Sequence, residues 1–409
     1  MRSLWFLAAA TLLAGTAHAA PLTYPAALKL AEESAPSLEA RADDLKAARS
    51  AAIAAGQLPD PKLALGIDGF PISGPNAGRP QRDDFSDVSV GVIQDVPNIA
   101  KRRAQRQRAA ADIGAAEAGQ VVQTRSVRVS TALTWIDLFY AKRRLAALDE
   151  VETVLAKLRQ TAPSGLASGV QRPAQTLEPE RLTALLGDRR ADLVAAIGKA
   201  RAELVRWTGD ADADVAGQGP DYPLDPAALR AGLDDLPSLR AFDAQSRQAD
   251  ADTALAKADK HPDWSWEVGY QHRDPRFGDM VMAQVTVGLP VFGATRQDPV
   301  IAARTQSASR VRIEREAARR ALVADLDADL ADHAMHHERL MRAETTLVPL
   351  AEKRASLETA SYAAGNASVA EVMDAQLALV EARIDTLDRE ADVVRDGARI
   401  ALTYGSEPQ

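Results

Sequence analysis

The sequence predicts a duplicated, mostly helical chain in which each half carries one β-hairpin of membrane-barrel type. Three observations predict it. One ordered set of short motifs occurs twice. Two segments of sixty-odd residues are patterned as unbroken helices. Two pairs of short segments alternate apolar residues with small or polar ones.

The duplication is read first, because a repeat sets the frame for every element. Pro36-Ser37-Leu38 recurs as Pro237-Ser238-Leu239, and Pro59-Asp60 with Gly66 recurs as Pro262-Asp263 with Gly269. Val88-Ser89-Val90-Gly91-Val92 recurs as Val285-Thr286-Val287-Gly288-Leu289, and Gly169 matches Gly365. The order holds throughout. The first copy has the longer hairpin loop, since Gly66 lies further from Gly91 than Gly269 does from Gly288.

The domain plan follows. Residues 1–19 read as a signal peptide, 20–208 as the first repeat, 209–235 as a linker rich in Gly, Pro and Asp, and 236–409 as the second repeat. Each repeat opens with a short amphipathic helix (about 25–57, then 236–260). Two strands follow (about 62–70 and 85–95, then 263–273 and 280–292). A very long helix comes next (about 99–162, then 295–363). A turn holding Gly169 or Gly365 leads into a returning helix (about 173–208, then 368–403). Sixty-odd helical residues span roughly 95 Å at ~1.5 Å each, far more than a compact domain needs.

The strands carry the strongest chemical signal. Trp264, Trp266, Val268 and Tyr270 point one way, and Ser265, Glu267, Gly269 and Gln271 the other. In the partner strand Val281, Ala283, Val285, Val287 and Leu289 oppose Met280, Met282, Gln284, Thr286 and Gly288. The first copy repeats this, with Leu63, Leu65 and Ile67, then Val88, Val90 and Val92, on the apolar side. Such alternation suits strands with lipid outside and water inside, and Trp264, Trp266 and Tyr270 suit the lipid-facing interface. A soluble sheet packed on helices alternates too, but the export signal and the polar hairpin loops favour the membrane. Four strands cannot close a barrel, because small closed barrels need ~8, and open edges are not tolerated in lipid. Several chains must then share one barrel, and a trimer would supply twelve strands.

Composition excludes other classes. The chain has 409 residues, net charge −8 and no cysteine, which removes disulfides, thiol catalysis and an acylated N-terminal cysteine. With only 4% aromatic residues a large compact core is disfavoured, and helical hairpins tolerate this better. Mild acidity without a basic patch argues against nucleic acid. Arg2, the apolar run Leu4–Ala14 and the Ala17-His18-Ala19 site compose the export signal, leaving a mature chain of charge −9 once Arg2 is removed. No other run is long enough for a transmembrane helix. No P-loop, Ser/His/Asp set or zincin motif occurs, so neither an enzyme nor a cofactor is expected.

Helix, hairpin, long helix, tip glycine and returning helix, written twice after a signal peptide, resemble the TolC-type outer membrane efflux family. Gly56-Gln57-Leu58-Pro59-Asp60-Pro61, and Gly91-Val92-Ile93-Gln94-Asp95-Val96-Pro97-Asn98 running into Lys101-Arg102-Arg103, resemble its heavy-metal, CzcC-like branch. The resemblance implies a homotrimer with a shared 12-strand barrel and a long α-helical periplasmic barrel. It also implies outer-membrane lipid, a periplasmic adaptor and an inner-membrane RND pump as partners. The implied function is an exit duct, with heavy-metal cations as cargo. The same duct serving drugs, and a soluble periplasmic coiled-coil scaffold, stand as alternatives.

The tip Tyr362-Ala363-Ala364-Gly365-Asn366-Ala367-Ser368-Val369-Ala370-Glu371-Val372-Met373-Asp374 matches the family well. The resemblance makes Glu371, Asp374 and Tyr362 pore or gate residues. It makes Gly169, Val170, Gly365, Asn366 and Ser368 the adaptor-docking tips. Ser368-x-x-Glu371 also reads as a capping box. The first tip departs from the pattern: Gln175 stands where the second has Glu371, and Pro179 should kink the returning helix.

Three tempting sites have plainer readings. His333, His336 and His337 with Glu338 have chelating spacing, yet a solvated face of a long polar helix explains them, and no metal site is assigned. Met280 and Met282 read as barrel filler. Trp135, Phe139 and Tyr140 read as helix packing, and Lys101-Arg102-Arg103 as a solvated helix start.

Overall fold

The computed structural model describes residues 21–167 and 178–405. The export signal at 1–19 and the first tip, with Gly169, Val170 and Gln175, lie outside the described residues. In chain order the main elements are α1 (Tyr24–Ser34), α2 (Pro36–Ala54), β1 (Lys62–Asp68), β2 (Asp87–Val96), α3 (Ile99–Ala167) and α4 (Glu178–Thr208). The second half gives α5 (Pro226–Ala231), α6 (Pro237–Ala258), β3 (Trp264–His272), β4 (Met280–Val287), α7 (Gln297–Arg342), α8 (Val348–Ala363) and α9 (Val369–Tyr404). The helix–hairpin–long helix–helix plan therefore occurs twice.

Three boundaries differ from the sequence reading, each for a local reason. The first helix is two helices, because Ala35 precedes Pro36 and takes extended geometry (ψ 119°). Strand β4 stops at Val287: the Gly288 N–H makes one more cross-strand bond, to the Asp263 carbonyl (2.8 Å), and Pro290 has no N–H to extend the ladder. The second long helix passes through a π turn at Ala343–Leu347 between α7 and α8. Pro349 follows directly, has no N–H for the carbonyl four residues back, and would crowd it; widening the turn relieves that.

The chain divides into two compact units that cut across the repeats. One comprises Met1–Pro36, Arg125–Leu229 and Leu326–Gln409, the other Ser37–Thr124 and Arg230–Asp325.

The first unit holds two apolar clusters. In one, Trp135 is fully buried, meets Tyr24 edge-on (5.4 Å) and stacks on Phe139 (5.0 Å), with Tyr140, Leu204 and Ala398 beside it. The Trp135 indole N–H donates to the Leu22 carbonyl (2.9 Å), so its one polar group is satisfied. In the other cluster Leu148 of α3, Leu182 and Leu186 of α4, and Val369, Met373 and Val380 of α9 pack together.

The second unit holds one antiparallel sheet in the order β1-β2-β3-β4. Its central pair, β2 and β3, joins the two repeats, with Val92 opposite Val268. Among the described residues β1 and β4 are unpaired on their outer edges. Helix α2 buries no residue at all.

Candidate functional site

The sheet register assembles one largely apolar face, interrupted by Gln94 beside Trp266 and by His272 beside Val88. Val96, Trp264 and Val287 form one row across the strands. Leu63, Val92, Val268 and Ala283 form another, and Leu65, Val90, Tyr270 and Val281 a third. Apart from half-buried Val96, these side chains are exposed: Leu65 at 74%, Val281 at 74%, Val268 at 47% and Trp264 at 43%. Water would not leave so much apolar surface uncovered on a stable soluble sheet. The opposite face carries Ser265 with Asp95 and Thr286, Glu267 with Gln284, and a small row of Ala64, Gly91 and Gly269 beside Met282. Here Lys62 pairs with Asp95 (2.6 Å). An exposed apolar face, a polar face and two free edges cannot persist in lipid alone, because each edge leaves backbone groups without partners.

A polar joint ties the strands to the helices. The Asn98 backbone and side-chain N–H groups both donate to Asp263 Oδ1 (2.8 Å each), and the Lys101 N–H donates to Asn98 Oδ1 (2.7 Å). The Lys101 ammonium reaches Asp259 (2.9 Å) and Asp263 (3.3 Å), and the hydrogen bond to Asp259 leads in holding its pKa above the usual value. Arg102 donates through Nε to the Gly56 carbonyl (2.9 Å). Two of the three residues in the basic run are thus engaged in the joint, not solvated as the sequence reading had them; only Arg103 is exposed. The joint had no sequence signal beyond the paired Pro59-Asp60 and Pro262-Asp263 motifs, since its partners lie 165 residues apart.

The second tip is built by two local motifs. Gly365 takes the left-handed conformation (φ 79°). Its N–H donates to the Tyr362 carbonyl (2.9 Å), and the Asn366 N–H donates to the Ser361 carbonyl (2.8 Å). This is the Schellman arrangement that closes a helix C-terminus. Ser368 then caps α9: its hydroxyl accepts from the Glu371 N–H (3.3 Å), and the Glu371 carboxylate accepts from the Ser368 N–H (2.6 Å). These bonds, the backbone one first, hold the Glu371 carboxyl below the usual glutamate range. Glu371 and Asp374 are both exposed, one turn apart. Tyr362 is half-buried and packs against the cluster around Leu148 and Met373.

The histidines part company. His336 Nδ1 lies 2.7 Å from the Asp396 carboxylate, which Arg399 also contacts (3.2 Å). His333 lies within 4.0 Å of the position a side chain at Gly397 would take, and burial, first among its causes, holds its pKa below the usual value. His337 is exposed. Among the described residues no group of three His, Cys, Asp or Glu side chains is placed to hold a metal.

The comparisons with known proteins agree with this architecture. Residues 230–406 match the family model described as outer membrane efflux protein. A membrane protein from Pseudomonas aeruginosa superposes with a TM-score of 0.80 at 15% identity, covering 93% of this chain and 90% of that one. CusC, whose structures concern transmembrane channel formation, gives 0.79 at 14% identity, covering 94% and 92%. The open-state MtrE outer membrane channel of Neisseria gonorrhoeae gives 0.73 at 15% identity, covering 93% and 88%. The fold is that of the TolC-type channels. No curated protein matches the sequence significantly. The matching family model is described as an efflux protein, and CusC and MtrE are described as channels.

Proposed function

We propose that this chain is the outer-membrane channel of a tripartite efflux system, assembled as a trimer whose three sheets close one twelve-stranded barrel. One observation carries this reading: an exposed apolar face spans all four strands, the opposite face is polar, and both edges are free. A barrel shared among copies satisfies the edges and places the apolar face in lipid. The family match over residues 230–406 supports efflux.

The mechanism is passive. The sequence carries no nucleotide-binding motif, so energy comes from an inner-membrane RND pump, relayed by a periplasmic adaptor that docks at the tips near Gly365, Asn366 and Ser368 and near Gly169 and Val170. Docking favours the open arrangement by binding it more tightly. Glu371 and Asp374 contribute carboxylates at the periplasmic mouth, six in a trimer, and a ring of acids favours cations. Tyr362 braces the mouth by packing under it. Heavy-metal cations are the proposed cargo, supported by the CzcC-like motifs around Gly56 and Gly91 and by this acidic pair.

The test begins with protein extracted from outer membranes in mild detergent. Its oligomeric mass and then its planar-bilayer conductance are measured. A conducting trimer is expected. A monomer or dimer recovered from the detergent-free periplasmic extract, without conductance, would overturn the channel. Cargo is tested separately: a deletion strain should become sensitive to divalent metal salts, and unchanged metal tolerance would remove that part of the reading.

A further inference from the structure

The sheet does not end cleanly where its strands meet the helices. Past the row of Val96, Trp264 and Val287, the connecting segments expose Leu289 (69%), Val291 (70%), Phe292 (66%) and Ile99 (81%). The loop that presents Val291 and Phe292 is ordered by its own turns: the Phe292 carbonyl accepts from the N–H groups of Thr295 (3.1 Å) and Arg296 (3.0 Å). A row of tryptophan followed by exposed aliphatic and aromatic side chains marks the edge of a hydrocarbon layer.

Cations follow immediately, near the start of the long helix in both repeats. Ile99, Arg103 and Arg106 fall on one face of α3, and Arg296, Val300 and Arg304 fall on one face of the segment entering α7. All six are exposed. The repeat offset that aligns Gly91 with Gly288 aligns Ile99 with Arg296 and Arg103 with Val300. No acidic residue occurs between 99 and 111 or between 299 and 313. None of Arg103, Arg106, Arg296 and Arg304 pairs with a carboxylate among the described residues. Further along α7 the contrast is sharp: Arg310, Arg312, Arg315, Arg319 and Arg320 each hold one. Between residues 296 and 320, the arginines without a carboxylate partner are therefore the two next to the apolar rim, Arg296 and Arg304.

We infer that this collar binds the anionic phospholipid headgroups of the leaflet bordering the helices, through Arg103, Arg106, Arg296 and Arg304. The inference rests on the membrane reading of the sheet. The dimensions agree. Along the axis Arg103 lies about 6 Å and Arg106 about 10 Å from Ile99, and Arg304 about 12 Å from Arg296, and their long side chains lean back toward the helix N-terminus and so toward the rim. The headgroup layer outside a ~30 Å hydrocarbon core is roughly 5–8 Å deep on each side. Guanidinium groups engage phosphate oxygens in pairs, and their aliphatic stems lie against the same apolar rim. Charge complementarity selects anionic over zwitterionic lipid.

The test uses the full chain reconstituted in vesicles of phosphatidylethanolamine with a minor share of phosphatidylglycerol. The protein is then extracted gently, and its retained lipids are identified by native mass spectrometry. Wild type should retain phosphatidylglycerol well above its bulk share. The combined variant Arg103→Gln, Arg106→Gln, Arg296→Gln, Arg304→Gln should fall to the bulk ratio, each arginine being worth roughly five-fold in partition near an anionic surface. A control with Arg312→Gln and Arg320→Gln should keep the excess. Retention of the excess by the fourfold variant, or its absence in wild type, would overturn the proposal. So would a variant that changes ion selectivity with its lipids unaltered, because the arginines would then line the duct. A protein that conducts but shows no excess sinks only this inference, whereas one that never enters the vesicles sinks the membrane reading itself.

Discussion

Asn98 and Asp263 lie 165 residues apart in sequence, yet Asp263 Oδ1 accepts both the backbone and the side-chain N–H of Asn98 at 2.8 Å. This contact pins the start of α3 in the first repeat to the entry of β3 in the second. Replacing the carboxylate removes two charge-assisted bonds and the Lys101 contact at once. Asp263→Ala should lower stability by about 2 kcal/mol, with Asp263→Asn retaining part of it through its remaining acceptor. The midpoint of thermal unfolding in detergent checks both variants. Equal midpoints for Asp263→Ala and wild type would show that the joint is incidental.

The two faces of the sheet should respond oppositely to charge. Val268→Arg places a guanidinium in the middle row of the apolar face, where the cost in lipid is about 2–4 kcal/mol. The variant should be depleted from the outer-membrane fraction. Gln284→Arg, on the polar face, should assemble normally. Fractionation with antibody detection measures the two side by side, and equal yields would mean that neither face contacts lipid.

Two glycines with left-handed backbone should differ in tolerance. Gly365 has nothing within 4 Å of the position a side chain would occupy, so Gly365→Ala meets only the backbone penalty, about 1–2 kcal/mol. At Gly56 (φ 68°) the same atom would sit 2.4 Å from the Arg102 carbonyl oxygen. Gly56→Ala should therefore destabilise more than Gly365→Ala, as read by unfolding midpoints. The reverse order would mean that the Gly56–Arg102 contact is looser than the geometry shows.

The tip should loosen in acid. Hydrogen bonds from Ser368 hold the Glu371 carboxyl below its ordinary value of 4.5. A depressed folded pKa means that the stabilisation is complete above the ordinary value and disappears as pH falls through the lower one. Protection of the amides across residues 366–372, taken relative to their intrinsic exchange rate at each pH, should therefore be full at neutral pH and fall as the pH drops below the ordinary glutamate value. Glu371→Gln should remove that acid-dependent step, and Ser368→Ala should cost about 1 kcal/mol at neutral pH through the lost cap. An acid-dependent step that survives in Glu371→Gln would assign it to another group.

The acidic pair at the tip should govern ion preference. Glu371→Ala with Asp374→Ala should lower the cation-over-anion permeability ratio in single-channel recordings while conductance persists. An unchanged ratio would leave Glu371 as a helix cap alone.

Much of this protein is legible from local sequence rules alone. The duplication, the strand alternation from Trp264 to Tyr270, the turn at Gly365 and the Ser368–Glu371 cap all rest on local rules of period two, positive φ and capping. Such rules act between residues a few positions apart, so the amino-acid order is enough to read them. It was not enough to show that the helix begun at Tyr24 breaks before Pro36 and that the second long helix widens ahead of Pro349; a proline marks a probable boundary, and packing decides whether the helix ends, bends or passes through.

Only the tertiary structure decided what the charged and ring-bearing side chains meet. Lys101 and Arg102 read as solvated, yet they close on Asp259, Asp263 and Gly56. The spacing of His333 and His337 suggested chelation, yet His336 turns to Asp396 while His337 stays in solvent. The register that lines up Val92 with Val268 across the two repeats was likewise invisible. The physical reason is common to all three. Ion pairs and strand partners depend on which distant segments are brought within a few ångströms, and that is set by the packing of the whole chain rather than by any local period.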